Sequence, residues 1–336
     1  MCYNTCTMQE IDFQKELNQE QYKVVSAGDG PHLVLAGAGS GKTRTLVYRV
    51  AWLLSQGVSP EKILLVTFTN KAAREMMDRV RSLLMLPEDE KISLWGGTFH
   101  SLAHRLLRIY GKQIGIATDF VILDAEDSKT LIKEISKEYF KNVELKHKPS
   151  VNLLREAISF AINSDISLKE SVGIKFPEWK SLLGAFETID KEYAERKKKN
   201  KFLDFDDLLF YWKKLTLNPD IMKKFSEKWQ YVLVDEYQDT NSIQAEIVYN
   251  LAQKHQNIIV VGDDAQSIYS FRAADVKNIL EFPDLFKKCQ IHKLETNYRS
   301  SSEIVSLANN VIKENQNQFF KNLRASKGGF IKPVLV

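Results

Sequence analysis

Two short stretches of this chain carry the residue types that chemistry on phosphates requires. The first is Ala36-Gly-Ala-Gly-Ser-Gly-Lys42-Thr43. Gly37, Gly39 and Gly41 allow backbone amides to curl around an anion. A strand-like run precedes the stretch and a helical pattern comes after it, so a helix N-terminus would add its dipole. The candidate phosphate contacts are Ala36, Gly37, Ala38, Gly39, Ser40, Gly41, Lys42 and Thr43, with Ala36 standing where the strict pattern has glycine. Lys42 would reach the β and γ phosphates, and the Thr43 hydroxyl would hold Mg²⁺. The second stretch is Val232-Leu-Val-Asp235-Glu236. Asp235 would bind Mg²⁺ through water, and Glu236 would be the base that polarises an attacking water. Alone, the first stretch could be a flexible turn and the second an exposed acidic turn. Together they point to hydrolysis of a nucleoside triphosphate, catalysed by positioning and charge neutralisation.

The elements that must position these residues are legible as a pattern. HLVLAG, KILLVTF, QYVLVDE and NIIVVGD read as buried β-strands, with Pro31 just before the first. Helical stretches such as Thr43–Ser55 and Ala72–Leu84 lie between them. Strands alternating with helices imply an α/β fold with a parallel sheet, whose ligands bind at the carboxyl ends of the strands. From about Lys112 to Lys201 the strand pattern stops, and amphipathic stretches Ser128–Phe140, Val151–Asn163 and Trp179–Lys199 predict a helical insertion. It ends in the basic run Tyr193–Lys201, which is either a solvated helix end or a DNA-facing patch.

Composition narrows the class. The 336 residues fit two to three domains, with 44% apolar and 27% charged residues. A net charge of +4 excludes a histone-like cation and an acidic disordered tail. Any nucleic-acid contact must therefore come from a local patch. Three cysteines (Cys2, Cys6 and Cys289) make no disulfide framework or zinc spacing. No signal peptide and no membrane-length apolar run is apparent, so a soluble cytoplasmic protein is expected.

Asp235-Glu-Tyr-Gln-Asp-Thr240 resembles motif II of the UvrD/PcrA/Rep type of superfamily 1 DNA helicases. Other blocks occur in the family's order. Leu17-Asn-Gln-Glu-Gln21 is similar to the Q motif, and Ala36–Thr43 with Arg44 after it to motif I. Thr67-Phe-Thr-Asn-Lys-Ala72 is similar to motif Ia, and Gly97-Thr-Phe-His-Ser101 to motif Ib. Gly262–Arg272 is similar to motif III and Leu294–Arg299 to motif IV. The resemblance implies a RecA-like P-loop NTPase domain interrupted by the insertion. The implied boundaries are 1–111 and 204–292 for the two parts of that domain, 112–203 for the insertion, and 293–336 for the start of a second RecA-like domain. It further implies ATP and Mg²⁺ as cofactors, and single-stranded DNA and its junctions with duplex as partners. Translocation would be 3′-to-5′, in repair or replication.

The resemblance also carries roles onto residues. Gln21 would read the adenine edge, Arg44 would belong to the nucleotide site, and Tyr298 would stack on the base. Arg299 would act as an arginine finger, where a bare reading pairs it with Glu295 at i−4. Gln238 and Gln266 would couple the γ-phosphate to the DNA track. DNA would lie against Phe68, Thr69, Asn70, His100, Tyr269, Phe271 and Arg272. Aromatic faces suit that task because they stack on any base. Phe68 has a core residue as its alternative reading, and His100 could equally serve in structural hydrogen bonding. Motifs V and VI do not appear, and the apolar run Lys332–Val336 reads as a strand about to join a sheet. The chain is thus expected to lack the C-terminal half of a motor, and to bind and hydrolyse nucleotide poorly alone. The alternatives are the helicase arm of a RecB/AddA-type helicase–nuclease and a DNA-binding module without ATPase activity.

Overall fold

The computed structural model describes residues 11–86, 92–142, 148–269 and 273–329. In chain order its strands are β1 (Pro31–Ala36), β2 (Ile63–Thr67), β3 (Trp95–Thr98), β4 (Val121–Ile122), β5 (Phe202–Leu203), β6 (Tyr231–Val234), β7 (Ile258–Gly262), β8 (Gln290–Leu294), β9 (Thr296–Ser301) and β10 (Arg324–Lys327). Six of them form one sheet in the order β3-β2-β6-β7-β1-β8. Every neighbouring pair in it is parallel.

Alternate residues of each strand serve opposite faces. Leu33, Leu35, Val66, Val234 and Val260 join one core with Phe99, Leu208, Trp212 and Ile247 from helices Phe99–Tyr110, Phe205–Leu217 and Ser242–Ala252. Val34, Ala36, Leu65, Leu233 and Val261 join a second core with Leu46, Val50, Met76 and Val80 from helices Lys42–Ser55 and Asn70–Leu83. Covering both faces is why these strands read as unbroken apolar runs. Two strands escape that signature. β3 is Trp-Gly-Gly-Thr, with no β-branched run, and β8 is an edge strand whose Gln290, Ile291 and Lys293 are exposed.

The insertion holds its own core. Helices Ala125–Tyr139, Val151–Asn163, Leu168–Lys175 and Leu183–Lys199 pack Ile132, Leu154, Val172, Phe186 and Ile189 together. The insertion is not helical throughout, because β4 pairs in parallel with β5, although neither forms a buried apolar run within 112–201. Strands of two residues, with Val121 of β4 exposed, leave no apolar run to find. The basic run is likewise neither of its two readings as a whole. Lys197 is buried, with its Nζ 2.6 Å from both Asp204 and Asp207. Burial disfavours its charge, but the two carboxylates outweigh burial and hold its pKa above the usual lysine value. Arg196 pairs with Glu192 and Glu138, and Lys201 with Asp119.

β8 runs through Leu294, so Lys293 and Leu294 belong to the six-stranded sheet rather than to the C-terminal segment. In that segment β9 and β10 form a separate parallel pair flanked by helix Ser302–Ile312. Lys332–Val336, Cys2 and Cys6 lie outside the described residues.

The β1–β8 edge contains a histidine pair, His32 Nδ1 to His292 Nε2 at 3.1 Å, with His32 Nε2 3.0 Å from the Gly28 carbonyl. Burial, then the neighbouring His32, Arg49 and Lys23, push His292 down to about 4. Burial also lowers His32, helped by Arg49 and opposed by Gly28 and Asp29. Both rings are therefore neutral when folded and take up protons more readily when unfolded. The stability they contribute is complete above pH 6.5 and is lost as pH falls from there toward 4. Denaturant titrations should show a fall of about 1–2 kcal/mol across that window, after discounting for partial exposure. His292→Gln should flatten it, and an unchanged profile would count against the pair.

Candidate functional site

The phosphate-loop residues begin where β1 ends, in the interior of the sheet. Gly41 adopts a left-handed conformation (φ 87°) as N-cap of helix Lys42–Ser55, and no side chain caps that helix. Its first amides therefore point into the loop, the arrangement that accepts an anion. Ser40 is buried and donates its hydroxyl to the Gly37 carbonyl at 2.7 Å, which keeps the loop curled.

Two strands away, β6 delivers Asp235 and Glu236. Glu236 sits at φ 49°, ψ 45°, a left-handed conformation that costs a non-glycine residue energy and that clusters at functional sites. Its carboxylate meets Lys42 Nζ at 2.8 Å. Thr43 donates its hydroxyl to Asp235 Oδ2 at 3.4 Å. Asp235 Oδ1 is buried and finds no hydrogen-bond partner. Burial first, then the charge of Glu236, push the Asp235 carboxyl up to about 7, against the pull of Lys42. A buried carboxylate oxygen with no donor beside a threonine hydroxyl suits a hard cation. Among the described residues no cluster of three metal-ligating side chains exists, so Asp235 and Thr43 would share such a cation with the oxygens of a phosphate ligand.

A buried amide links this strand end to the next. Gln238 donates to Glu236 at 3.0 Å and to Asp239 at 3.2 Å, while its carbonyl accepts the Asp263 N–H at 3.0 Å. Asp263 lies just past the end of β7, and Gln266 donates to its carboxylate at 2.6 Å. Burial and Glu236 raise Asp239 to about 6.

The β9–β10 unit closes over the loop. Asn297 donates to the Ala38 carbonyl at 2.6 Å, and the Tyr298 N–H to the Gly39 carbonyl at 2.9 Å. Arg299 Cβ and the Leu323 side chain lie so close that a Cβ on Gly39 or Gly37 would meet them at 2.6 and 2.5 Å. Arg299 is exposed and lies on a strand, so the helical i−4 pairing with Glu295 does not form; Glu295 pairs with Arg324 at 3.5 Å instead. Tyr298 is 42% exposed, and its hydroxyl accepts from Asn18 at 2.6 Å.

Some expected contacts are engaged elsewhere. Gln21 is buried, donates to the Ser40 carbonyl at 3.0 Å and accepts the Asn18 N–H. Its amide thus braces the phosphate loop, and reading an adenine edge requires it to let go. Arg44 pairs with Glu16 at 3.1 Å and donates to Tyr48. Asn18 and Asn297 escape sequence reasoning because nothing local marks a hydrogen bond to a distant loop.

At the ends of β2 and β3 lie the residues expected to meet DNA. Phe68 is half-buried, and Thr69 and Asn70 are exposed. Thr69 caps the adjoining helix, accepting from the Ala72 N–H, and Asn70 accepts from the Thr98 hydroxyl at 3.4 Å. The His100 ring packs edge-on at 5.8 Å against Phe205, and burial lowers its pKa. Phe205 is 47% exposed and is not singled out by sequence, where it resembles an ordinary helix-start hydrophobe. Tyr269 is half-buried, and Phe271 and Arg272 lie outside the described residues.

A sequence model of the UvrD/REP helicase N-terminal domain matches residues 17–287. The ATP-dependent DNA helicase PcrA of Staphylococcus epidermidis is 40% identical over 321 residues, which is 94% of this chain and 42% of the relative. The enzyme of the same name from Staphylococcus aureus is 40% identical over 313 residues, 91% of this chain and 41% of the relative. The chain therefore spans about two fifths of the length of these curated relatives.

Proposed function

The chain belongs to the UvrD/REP helicase N-terminal domain family, and from that premise we propose that it is the nucleotide-binding part of an ATP-dependent DNA helicase. The observation that carries this reading is the convergence of Lys42, Thr43, Asp235 and Glu236 at the carboxyl ends of β1 and β6, with Asp235 Oδ1 unpartnered. Lys42 and the open amides of its helix would hold the terminal phosphates. Glu236, one residue past Asp235, would orient the attacking water once Lys42 turns to the phosphate. Asp235 and Thr43 would hold Mg²⁺, which neutralises phosphate charge when bound. Arg299, exposed beside Gly39, would supply the arginine finger, and Tyr298 would stack on the base.

The finer assignments rest on the family resemblance. They are 3′-to-5′ movement on single-stranded DNA, unwinding at junctions with duplex, and a role in repair or replication; a cytoplasmic location is proposed separately, from the sparse cysteines. The proposed division is a RecA-like domain from 1–111 and 204–294, the helical insertion 112–203, and a second RecA-like segment that begins after β8, at 295. That last segment touches the phosphate loop and so would complete the site.

Glu236→Gln in the full-length protein is the direct test. DNA-stimulated ATP hydrolysis should fall at least about 100-fold while nucleotide binding persists. Hydrolysis at the wild-type rate would remove the catalytic reading and leave a DNA-binding module. For the DNA track, Phe68→Ala and Phe205→Ala should each weaken single-stranded DNA binding by roughly 1–3 kcal/mol, with little dependence on sequence. Filter-binding or anisotropy titrations read this, and an unchanged affinity for both would place the strand elsewhere.

A further inference from the structure

The segment leading into β10 carries a lysine that lies outside every motif read from the sequence. The Lys321 side chain is only 6% exposed, and its Nζ lies 2.8 Å from Asp263 Oδ1 and also pairs with Asp264 Oδ1. The Phe319 N–H donates to the other Asp264 oxygen at 3.0 Å. Both carboxylates are buried and adjacent in sequence, and Lys321 is the one cation paired with them among the described residues. Two buried negative charges side by side are unfavourable unless a cation neutralises them, so the pair and the lysine are interdependent.

Asp263 is also the residue that holds the candidate catalytic amide. Its second carboxylate oxygen accepts from Gln266 at 2.6 Å, and its N–H donates to Gln238 at 3.0 Å. Gln238 donates to Glu236, and Glu236 meets Lys42. An unbroken set of polar contacts thus runs from the phosphate-loop lysine to Lys321. Two residues further on, Leu323 covers Gly37, and Arg324 pairs with Glu20 at 3.0 Å.

We propose that Lys321 is a positioning residue that clamps the 319–324 segment onto Asp263 and Asp264, and so ties the orientation of Gln266 to the placement of the β9–β10 unit. A γ-phosphate that draws Lys42 away from Glu236 would loosen Gln238 and, through Asp263, the grip on Lys321. The inference rests on the nucleotide-site reading above and deepens it.

The test uses the full-length protein with Lys321→Met, Lys321→Arg and Asp264→Asn. The first readout is hydrogen exchange across residues 315–327 with and without a non-hydrolysable ATP analogue. Wild type should change its exchange there on binding the analogue, and Lys321→Met should bind the analogue yet lose that response. The second readout is DNA-stimulated turnover. Lys321→Met should lower kcat at least about tenfold with the ATP KM within about twofold, and Lys321→Arg should recover most of the loss. Should Lys321→Met fail to fold, Asp264→Asn must reproduce the lost exchange response. If wild type binds the analogue without any change in 315–327, or if Lys321→Met retains both response and kcat, the clamp is refuted. If wild type does not bind the analogue at all, it is the nucleotide-site reading that fails.

Discussion

Replacing Lys42 with alanine in the full-length protein should abolish DNA-stimulated ATP hydrolysis, with a loss of about 10³-fold or more in kcat. Two effects act together. The ammonium that would stabilise charge on the transferring phosphoryl group disappears. Glu236 also loses the cation 2.8 Å from its carboxylate, beside an Asp235 that burial and Glu236 already push up to about 7. Lys42 is among the groups that restrain that rise, so its removal drives Asp235 further toward the protonated form, which is unable to hold a cation. Steady-state ATPase assays with saturating single-stranded DNA read the first effect. A retained DNA-stimulated rate would show that hydrolysis does not pass through this site. Thermal unfolding should move little, because the residues on this side of the sheet are anchored by their own core.

Gly39→Val should have a second large effect, on assembly of the site rather than on its chemistry. Gly39 sits at φ 72°, where a β-branched residue is strained. Its Cβ would also fall 2.6 Å from Arg299 Cβ and 3.3 Å from the Arg299 backbone nitrogen, so β9 must retreat. The Tyr298 N–H to Gly39 carbonyl bond at 2.9 Å would go with it. Backbone strain and the clash together should cost about 2–4 kcal/mol, read as lowered stability and a nucleotide affinity reduced by well over tenfold. Gly57→Ala separates the two causes. Gly57 shares the positive φ (83°) but has open space where its Cβ would stand, so it should cost only about 1 kcal/mol and leave nucleotide binding intact. Equal effects from the two changes would mean that contact with β9 contributes nothing.

Much of the molecule is legible without coordinates, for reasons that differ by element. The central strands are legible because both faces of a parallel sheet are covered, which forces apolar residues at every position. Helix Val151–Asn163 is legible to the residue, since its start is a serine cap and one face feeds a compact core. β3 and β8 are not, because a strand made of glycines or lying at a sheet edge has no such obligation. Nor is the burial of Lys197 within a basic run, since Asp204 and Asp207 come from beyond that run and only the fold brings them to its Nζ.

The candidate site divides in the same way. Residue type and spacing along the chain determined that Ala36–Thr43 would make a glycine-rich turn from a strand into a helix and that Asp235 and Glu236 would end a strand, because glycine conformational freedom and strand-end chemistry are local properties. They also determined family membership, which the match over residues 17–287 established. Only the tertiary structure decided how those pieces meet. It brought Lys42 to Glu236 and left Asp235 Oδ1 without a donor. It engaged Gln21 with Ser40 and set Leu323 and Arg299 against the loop glycines. It also buried Lys321 between two aspartates. These are pairings between residues distant in sequence, and their energies depend on separation and burial, quantities that exist only once the sheet has been assembled.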